Sequence, residues 1–194
     1  MFDIFSVDTI ANETIKNEDF SNIDISNKEI NDCRFENCNF TESKLIKTQL
    51  EGCSFYSCNL INIDNAHSRL INIDFINCKV VGLSLFKCDQ IVFDISFTDS
   101  KIMFCNFSDA KMKGTKFINC SIENSYFQNT YLAEANFEQS RFINTLFSKS
   151  DLKKANFIQA SGYIIDPREN NISKAIFSVP DVLGLLNGFD IVIK

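Results

Sequence analysis

The most regular feature of the chain is a large apolar residue at every fifth position. Counting from Phe20, this frame holds through Leu85, and a second run two residues out of phase extends from Val92 to Phe157. The two runs contain 28 positions, and 27 of them are large and apolar, with Asn65 as the exception. Neither the 3.6-residue period of a helix nor the two-residue period of a strand produces this pattern. The chain is therefore predicted to be built from an internal five-residue repeat.

A second, small position accompanies each apolar centre. Of the 28 residues that lie two places before a centre, 20 are Ala, Ser, Thr or Cys. Four units would make one square coil, in which residues 20 apart stack like rungs of a parallel sheet about 4.8 Å apart. Each side of so narrow an interior has room for one large and one small side chain, which explains the pairing.

The eight cysteines follow the same register. Seven of them, including Cys33, Cys53 and Cys120, occupy the small position, and Cys88 would do so if the first frame ran one step further. Their spacing suits small buried fillers better than a zinc site or disulfides, because stacked side chains point in parallel. No metal or cofactor is predicted.

The repeating unit resembles that of a known family. Cys38-Asn39-Phe40, Ala135-Asn136-Phe137 and Ala155-Asn156-Phe157 are similar to the A(D/N)(L/F)XX unit of the pentapeptide-repeat family, and the similarity covers about residues 20–157. The resemblance implies an all-β fold, a right-handed quadrilateral parallel β-helix, followed by a short C-terminal helix/strand module. At four units per coil, 28 units predict about seven coils. We expect an N-terminal cap over 1–14, the solenoid over 15–160 and a C-terminal capping and dimerisation module over 161–194.

The repeat is interrupted where the frame slips by two residues, between Leu85 and Val92. Four large apolar residues near the slip leave the interior register: Phe86, Phe93, Met103 and Phe104. They form a candidate surface patch, and an exposed apolar patch can mark a partner site. The alternative is a bulge that buries them locally.

The tail after residue 160 is too apolar for a frayed terminus. Ser178 is a candidate N-cap, the following apolar residues predict a short helix that ends at Gly188, and Phe189–Ile193 predicts a final strand. The tail is similar to that of microcin-immunity members of the family, which implies a homodimer joined end to end. The predicted dimerisation residues are Val182, Leu183, Leu185, Leu186, Phe189, Ile191 and Ile193.

Charge narrows the classes of partner. The net charge of −6 and the pI of about 4.8 disfavour direct nucleic-acid binding. Residues 1–100 hold 16 acidic against 8 basic residues, whereas 101–194 hold 9 against 11. No apolar run could span a bilayer and no signal peptide is recognisable, so a soluble cytoplasmic protein is expected.

These features favour binding over catalysis. His67 is the only histidine, and neither a nucleophile–base pair nor a glycine-rich phosphate loop accompanies it. The resemblance to topoisomerase-interacting members of the McbG, MfpA and Qnr types implies a DNA mimic that binds DNA gyrase or topoisomerase IV. The candidate partner-binding acids are Asp64, Asp74, Asp94, Asp99, Asp109, Glu134 and Glu138. Sorted by side, however, the charges give no strongly acidic face, so a generic partner-binding or structural solenoid is the alternative.

Overall fold

The computed structural model describes residues 4–89 and 93–192, and these residues form an all-β parallel solenoid of about eight turns. The predicted fold class is thereby confirmed. Three short 3-10 helices cover Ile4–Ser6, Leu85–Lys87 and Asp181–Leu186. The strands are β1 (Thr9–Ala11), β2 (Thr14–Lys16), β3 (Glu29–Asn31), β4 (Arg34–Glu36), β5 (Gln49–Glu51), β6 (Ser54–Tyr56), β7 (Asn59–Ile61), β8 (Arg69–Ile76), β9 (Lys79–Val81), β10 (Asp94–Thr98), β11 (Lys101–Met103), β12 (Lys116–Ile118), β13 (Ser121–Glu123), β14 (Tyr126–Gln128), β15 (Arg141–Ile143), β16 (Leu146–Ser148), β17 (Asn156–Phe157), β18 (Ile164–Ile165) and β19 (Ile176–Phe177).

The register of the strands follows the five-residue repeat. Strands pair in parallel with strands one coil away, so that Ile30 lies beside Leu50 and Phe35 beside Phe55. In most strands the central residue is buried and its two neighbours point outward. Because consecutive Cβ atoms alternate in direction, each short strand contributes one large side chain to the interior.

Four columns of stacked central residues define four faces of the rod, which we call A to D. Face A runs through Ile15, Phe35, Phe55, Phe75, Phe97, Phe117, Phe137, Phe157 and Phe177; face B through Phe20, Phe40, Leu60, Val80, Ile102, Ile122 and Phe142; face C through Ile25, Leu45, Asn65, Leu85, Phe107, Phe127, Phe147 and Ile165; and face D through Ile10, Ile30, Leu50, Leu70, Phe93, Met112, Leu132 and Leu152.

Aromatic stacking fills much of the interior. On face A, the Phe117 ring lies 5.1 Å from both the Phe97 and the Phe137 rings, at interplanar angles of 9° and 10°. The small interior residues satisfy the backbone beside these rings. The Ser140 hydroxyl, for example, donates to the Phe117 carbonyl at 2.7 Å. The core is thus packed and most of its polar groups are paired; the buried Tyr163 hydroxyl, which has no hydrogen-bond partner among the described residues, is an exception.

All eight cysteines are free thiols, and seven are buried. Cys53 Sγ lies 3.3 Å from the Ile30 carbonyl, a contact like that of the interior hydroxyls. Burial raises the pKa of Cys105 and of Cys120 to about 12. The predicted role of these cysteines as interior fillers agrees with these positions, and Cys88 is half-buried.

The corners between faces have a conformational requirement that the apolar pattern does not reveal. The second residue after each centre adopts the left-handed region, as in Asn37 with φ 54° and Asn119 with φ 50°. Asparagine and glycine tolerate this region best, so asparagine recurs at the corners. Successive corners also bond to one another: Asn119 Nδ2 donates to Asp99 Oδ1 at 2.7 Å.

The coils extend beyond both predicted ends of the solenoid. Strand β1 lies inside the segment 1–14 that was expected to be a cap, and it pairs with β3 of the next coil. At the other end β18 pairs with β16, and the Phe177 ring stacks 5.0 Å from Phe157 within the expected C-terminal module. The apolar frame continues through Ile15, Ile10 and Phe5, which are buried, but the small positions of this first coil are Asp8 and Glu13. Both are polar and exposed, so the paired pattern of large and small residues ends before this coil.

The frame slip has an internal structure. Phe93, predicted to leave the interior, is only 4% exposed and takes the face D position between Leu70 and Met112. The step from Leu85 to Phe93 is three residues longer than one unit, and the step from Phe93 to Phe97 is one residue shorter. The two-residue slip is therefore an insertion of three and a deletion of one. Val92, the predicted centre, lies outside the described residues.

Asn65, the exception in the apolar frame, anchors this insertion. Its side chain is buried, and Nδ2 donates to the Ser84 carbonyl at 2.8 Å and lies 3.2 Å from Cys88 Sγ. Ser84 directly precedes the 3-10 helix at Leu85–Lys87 that begins the inserted segment. An amide serves here because it bonds both backbone groups of Ser84: Nδ2 donates to the carbonyl, and Oδ1 accepts from the Ser84 N–H at 3.4 Å.

The C-terminal tail differs in detail from the prediction. The helix over Asp181–Leu186 has Pro180 at its N-cap position and no side-chain cap. Ser178, the predicted cap, instead accepts a hydrogen bond from the Gln159 N–H at 2.9 Å. Residues 189–192 form no strand, and Ile193 lies outside the described residues.

Candidate binding surfaces

The predicted partner-binding acids are spread around the rod rather than brought together. They occupy these places: Asp64 on face C, Asp74 and Glu138 on face A, Asp94 on face D, Asp99 at the corner between faces A and B, Asp109 at the corner between C and D, and Glu134 at the corner between D and A. The structure brings Asp74 and Asp94 together in one cleft, beside Lys113 and Lys116, but does not assemble the seven acids into one acidic site.

Several of these acids already have partners within the chain. Asp109 Oδ1 accepts a hydrogen bond from Asn129 at 2.7 Å, and Asp74 accepts one from the Ser96 hydroxyl. Glu134 lies 3.3 Å from Lys154 and 3.6 Å from Lys113, and the hydrogen bond from Lys154 lowers its pKa. A partner would have to compete with these contacts.

The excess of negative charge lies instead in the first coils. On face D, Glu29 pairs in register with Gln49, and Asn31 pairs with Glu51. Asp32 follows at the next corner, with φ 51°. These three acids were not among the predicted site residues. A count of charge by coil would have found them, because Glu29 and Glu51 flank the paired centres Ile30 and Leu50 on successive coils.

The predicted apolar patch is partly present. Phe86 on face C is 65% exposed, and Phe104 at the corner between faces B and C is 58% exposed. Met103 on face B is half-buried. Phe93 belongs to the interior, as described above, because its backbone continues face D.

The apolar tail is only partly packed against the last coil. Leu185 contacts the core, whereas Leu183 is 46% and Ile191 is 55% exposed. The Arg168 guanidinium lies 5.1 Å from the centre of the exposed Phe189 ring. Val182 and Leu186 are half-buried, and Ile193 lies outside the described residues.

His67 lies at an exposed corner with φ 58°, and its Nδ1 is 2.7 Å from Asp89. Within residues 4–89 and 93–192, no three His, Cys, Asp or Glu side chains lie together as metal ligands would. Over the same residues, none of the helices has the length and apolarity needed to cross a membrane.

The comparisons with known proteins agree with this architecture. A family model for pentapeptide repeats (8 copies) matches residues 19–56 and 33–64. The five-residue units of residues 19–64 are thus pentapeptide repeats. A second model, for the SV2A/B/C luminal domain, matches residues 87–147. No curated protein matches the sequence significantly.

Solved pentapeptide-repeat structures share the fold at low sequence identity. HetL, a protein involved in heterocyst differentiation regulation in the cyanobacterium Nostoc sp. strain PCC 7120, matches with a TM-score of 0.68 and 13% identity, over 86% of this chain and 84% of its own. QnrB1, a plasmid-mediated fluoroquinolone resistance protein, matches in one trypsin-treated variant with a TM-score of 0.55 and 14% identity, over 96% of this chain and 99% of its own. A second trypsin-treated variant of QnrB1 matches with a TM-score of 0.54 and 17% identity, over 96% of this chain and 91% of its own. At these identities the likeness concerns the fold alone.

Proposed function

We propose that this chain is a non-enzymatic binding protein whose acidic N-terminal half occupies the basic DNA groove of a type II topoisomerase. The observation that carries the proposal is the distribution of charge along a rigid rod. Residues 1–100 hold eight more acidic than basic residues, 16 against 8. A basic groove shaped for duplex DNA attracts such a rod by charge complementarity.

The net negative charge of this half is somewhat more than half that of DNA of the same length. About five coils at ~4.8 Å each span ~24 Å. Duplex DNA carries ~14 negative charges over that length. The excess of eight acids is thus somewhat more than half the charge that the groove meets on DNA. The shared fold with QnrB1, described as a fluoroquinolone resistance protein, also supports this class of partner.

The test is DNA supercoiling by gyrase, with and without a quinolone, in the presence of the purified chain. We expect inhibition or protection at micromolar protein, and at least tenfold weaker effect from the triple variant Glu29→Gln, Asp32→Asn, Glu51→Gln. A matched control makes the same charge change in the other half: Glu123→Gln, Glu138→Gln, Glu169→Gln. No effect of the wild type at tens of micromolar, or an equal loss in both triples, would contradict the proposal.

A second candidate function, binding of another protein partner without any topoisomerase role, is favoured by the exposed Phe86 and Phe104. A DNA mimic does not need these two rings, because the DNA-binding groove of an enzyme offers few apolar surfaces for them to contact. Wild-type supercoiling in the assay above, together with capture of a partner that is lost in Phe104→Asn, would support this function over the first.

The exposed tail also supports a homodimer, which we propose forms through the C-terminal segment. Leu183, Phe189 and Ile191 present apolar side chains to solvent at one end of the rod. An isologous contact between two such ends would bury them and double the rod. Analytical ultracentrifugation should show a dimer at micromolar concentration, and Leu183→Asp should give a monomer with an unchanged circular dichroism spectrum. A monomeric wild type would contradict this arrangement.

A further inference from the structure

Phe104 is an unusual residue for its place in the fold. In residues 4–89 and 93–192, 26 non-glycine residues have positive φ, and Phe104 (φ 53°) is the single apolar one. The equivalent corner holds Gly82 one coil earlier and Asn124 one coil later. A bulky side chain gains nothing from the left-handed conformation, and this ring is 58% exposed. Neither backbone preference nor burial explains it.

An apolar column lies beside Phe104 on face B. Ile61, Val81 and Met103 stack in register on three successive coils, and all three are partly exposed. Polar corner residues bound the column, including Asn62 before and Asn124 after it. An apolar centre with a polar rim is the usual composition of a protein-binding surface.

Two lysines on the same face form a second unfavourable arrangement. Lys79 and Lys101 lie directly opposite each other in paired strands, where like charges repel. Lys101 Nζ is 3.3 Å from Glu123, whereas the side chain of Lys79 has no ion-pair partner in the described part of the chain. Arg141, further along face B, is exposed. From Lys79 to Arg141 the outward positions of this face therefore hold three basic side chains and one acidic one, in a chain whose net charge is −6.

We infer that this surface, formed by Ile61, Lys79, Val81, Lys101, Met103 and Phe104, binds an acidic protein segment that carries large apolar side chains. The lysines complement its carboxylates, while the apolar column and the Phe104 ring receive its apolar residues. Strand β9 is paired on one side with β7 and on the other with β11, so the segment binds through side chains rather than by adding a strand. This surface lies on face B, whereas Glu29, Asp32 and Glu51, which we propose above to bind a topoisomerase, lie on face D and its corner.

The first test compares binding with stability. The probe is a fluorescent peptide of about twelve residues that repeats Glu-Phe-Glu-Leu, measured by anisotropy at low salt. Phe104→Asn should weaken binding at least tenfold while the melting temperature stays equal or rises, because asparagine suits this corner. Leu146→Asn removes an exposed apolar side chain from the neighbouring face C and should leave binding unchanged. Equal losses in both variants would overturn the inference.

The second test addresses charge and the class of partner. The double variant Lys79→Gln, Lys101→Gln should weaken binding at least tenfold, whereas Lys111→Gln, Lys116→Gln, with the same charge change on other faces, should not. A peptide with Gln in place of Glu should bind poorly. Failure of the acidic peptide to saturate the wild type below about 200 µM would overturn the inference. So would preferential binding to phosphatidylcholine vesicles that contain phosphatidylglycerol, because the surface would then be a membrane contact.

Discussion

Truncation of Phe117 to alanine tests whether the stacked rings of face A hold the rod together. The Phe117 side chain is fully buried and lies between two stacked rings, Phe97 and Phe137, at 5.1 Å each. It also meets Phe107 and Phe127 edge-on at 5.8 and 5.7 Å. Removal of a buried phenylalanine ring costs about 3–5 kcal/mol. Because four aromatic rings surround Phe117, we expect a value at the upper end of that range, ~5 kcal/mol.

Phe177, at the last rung of the same face, is the matched comparison. It is half-buried and stacks on one ring of its own face, Phe157, at 5.0 Å. Phe177→Ala should therefore cost about half as much, ~2 kcal/mol, because one side of the ring has no neighbouring coil. Phe117→Leu keeps most of the apolar volume and should cost about 1–2 kcal/mol, chiefly the ring contacts.

Urea denaturation followed by circular dichroism gives the free energy of unfolding for each variant. The expected order of destabilisation is Phe117→Ala, then Phe177→Ala, with Phe117→Leu no worse than the latter. If Phe117→Ala and Phe177→Ala cost the same, a coil gains no more from two neighbours than from one, and the stacking argument is wrong. A smaller dependence of the free energy of unfolding on urea concentration would show that the coils no longer unfold together.

Three further predictions concern the irregular parts of the chain. Asn65→Ala should lower the free energy of unfolding by about 1–3 kcal/mol in urea denaturation, because the Ser84 N–H loses its acceptor, Asn65 Oδ1, and the Ser84 carbonyl keeps only the bond from the Lys87 N–H; an unchanged value would contradict the anchoring role. Cys88 is half-buried while the other seven thiols are buried, so it should be the first to react with a thiol reagent in the native protein. Mass spectrometry should show that the first reagent adduct on the wild type is missing in Cys88→Ser. The hydrogen bond from Arg168 holds the pKa of Asp166 at about 2, below its ordinary 3.8, so the stabilisation it gives is present above about pH 4 and lost as the pH falls toward 2; thermal melts of Asp166→Asn should lack that acid-dependent part, and an identical pH profile would refute it.

Much of the fold could be predicted from the sequence because the repeat constrains every coil alike. A square interior that accepts one large and one small side chain per side leaves few alternatives once the five-residue frame is found. The position of Cys53 and the stacking of Phe35 on Phe55 follow from that frame alone. The predicted ends of the solenoid lie too far inward, because the terminal coils have a free side and tolerate polar residues such as Glu13 where inner coils need small ones.

The candidate site could be predicted much less well. Phe93 and Phe104 leave the apolar frame in the same way, yet one is buried and the other exposed. The difference depends on where three inserted residues and one deleted residue fall between Leu85 and Phe97. The sequence shows only a net shift of two residues, which is the three inserted residues less the one deleted. The backbone pairing of Asp94 with Ile71 shows where the insertion and the deletion fall, and so places Phe93 in the interior.

The sequence by itself determined the period, the interior columns on either side of the slip and the burial of seven cysteines, because each depends only on local spacing. The tertiary structure decided which outward residues are neighbours, since residues about 20 apart meet across coils. The surface on face B is an example of neighbours that only the structure shows. Lys79 lies opposite Lys101 and Val81 beside Met103, and Phe104 occupies the adjoining left-handed corner. A binding surface on a solenoid is assembled from several coils, so its composition depends on the register between them.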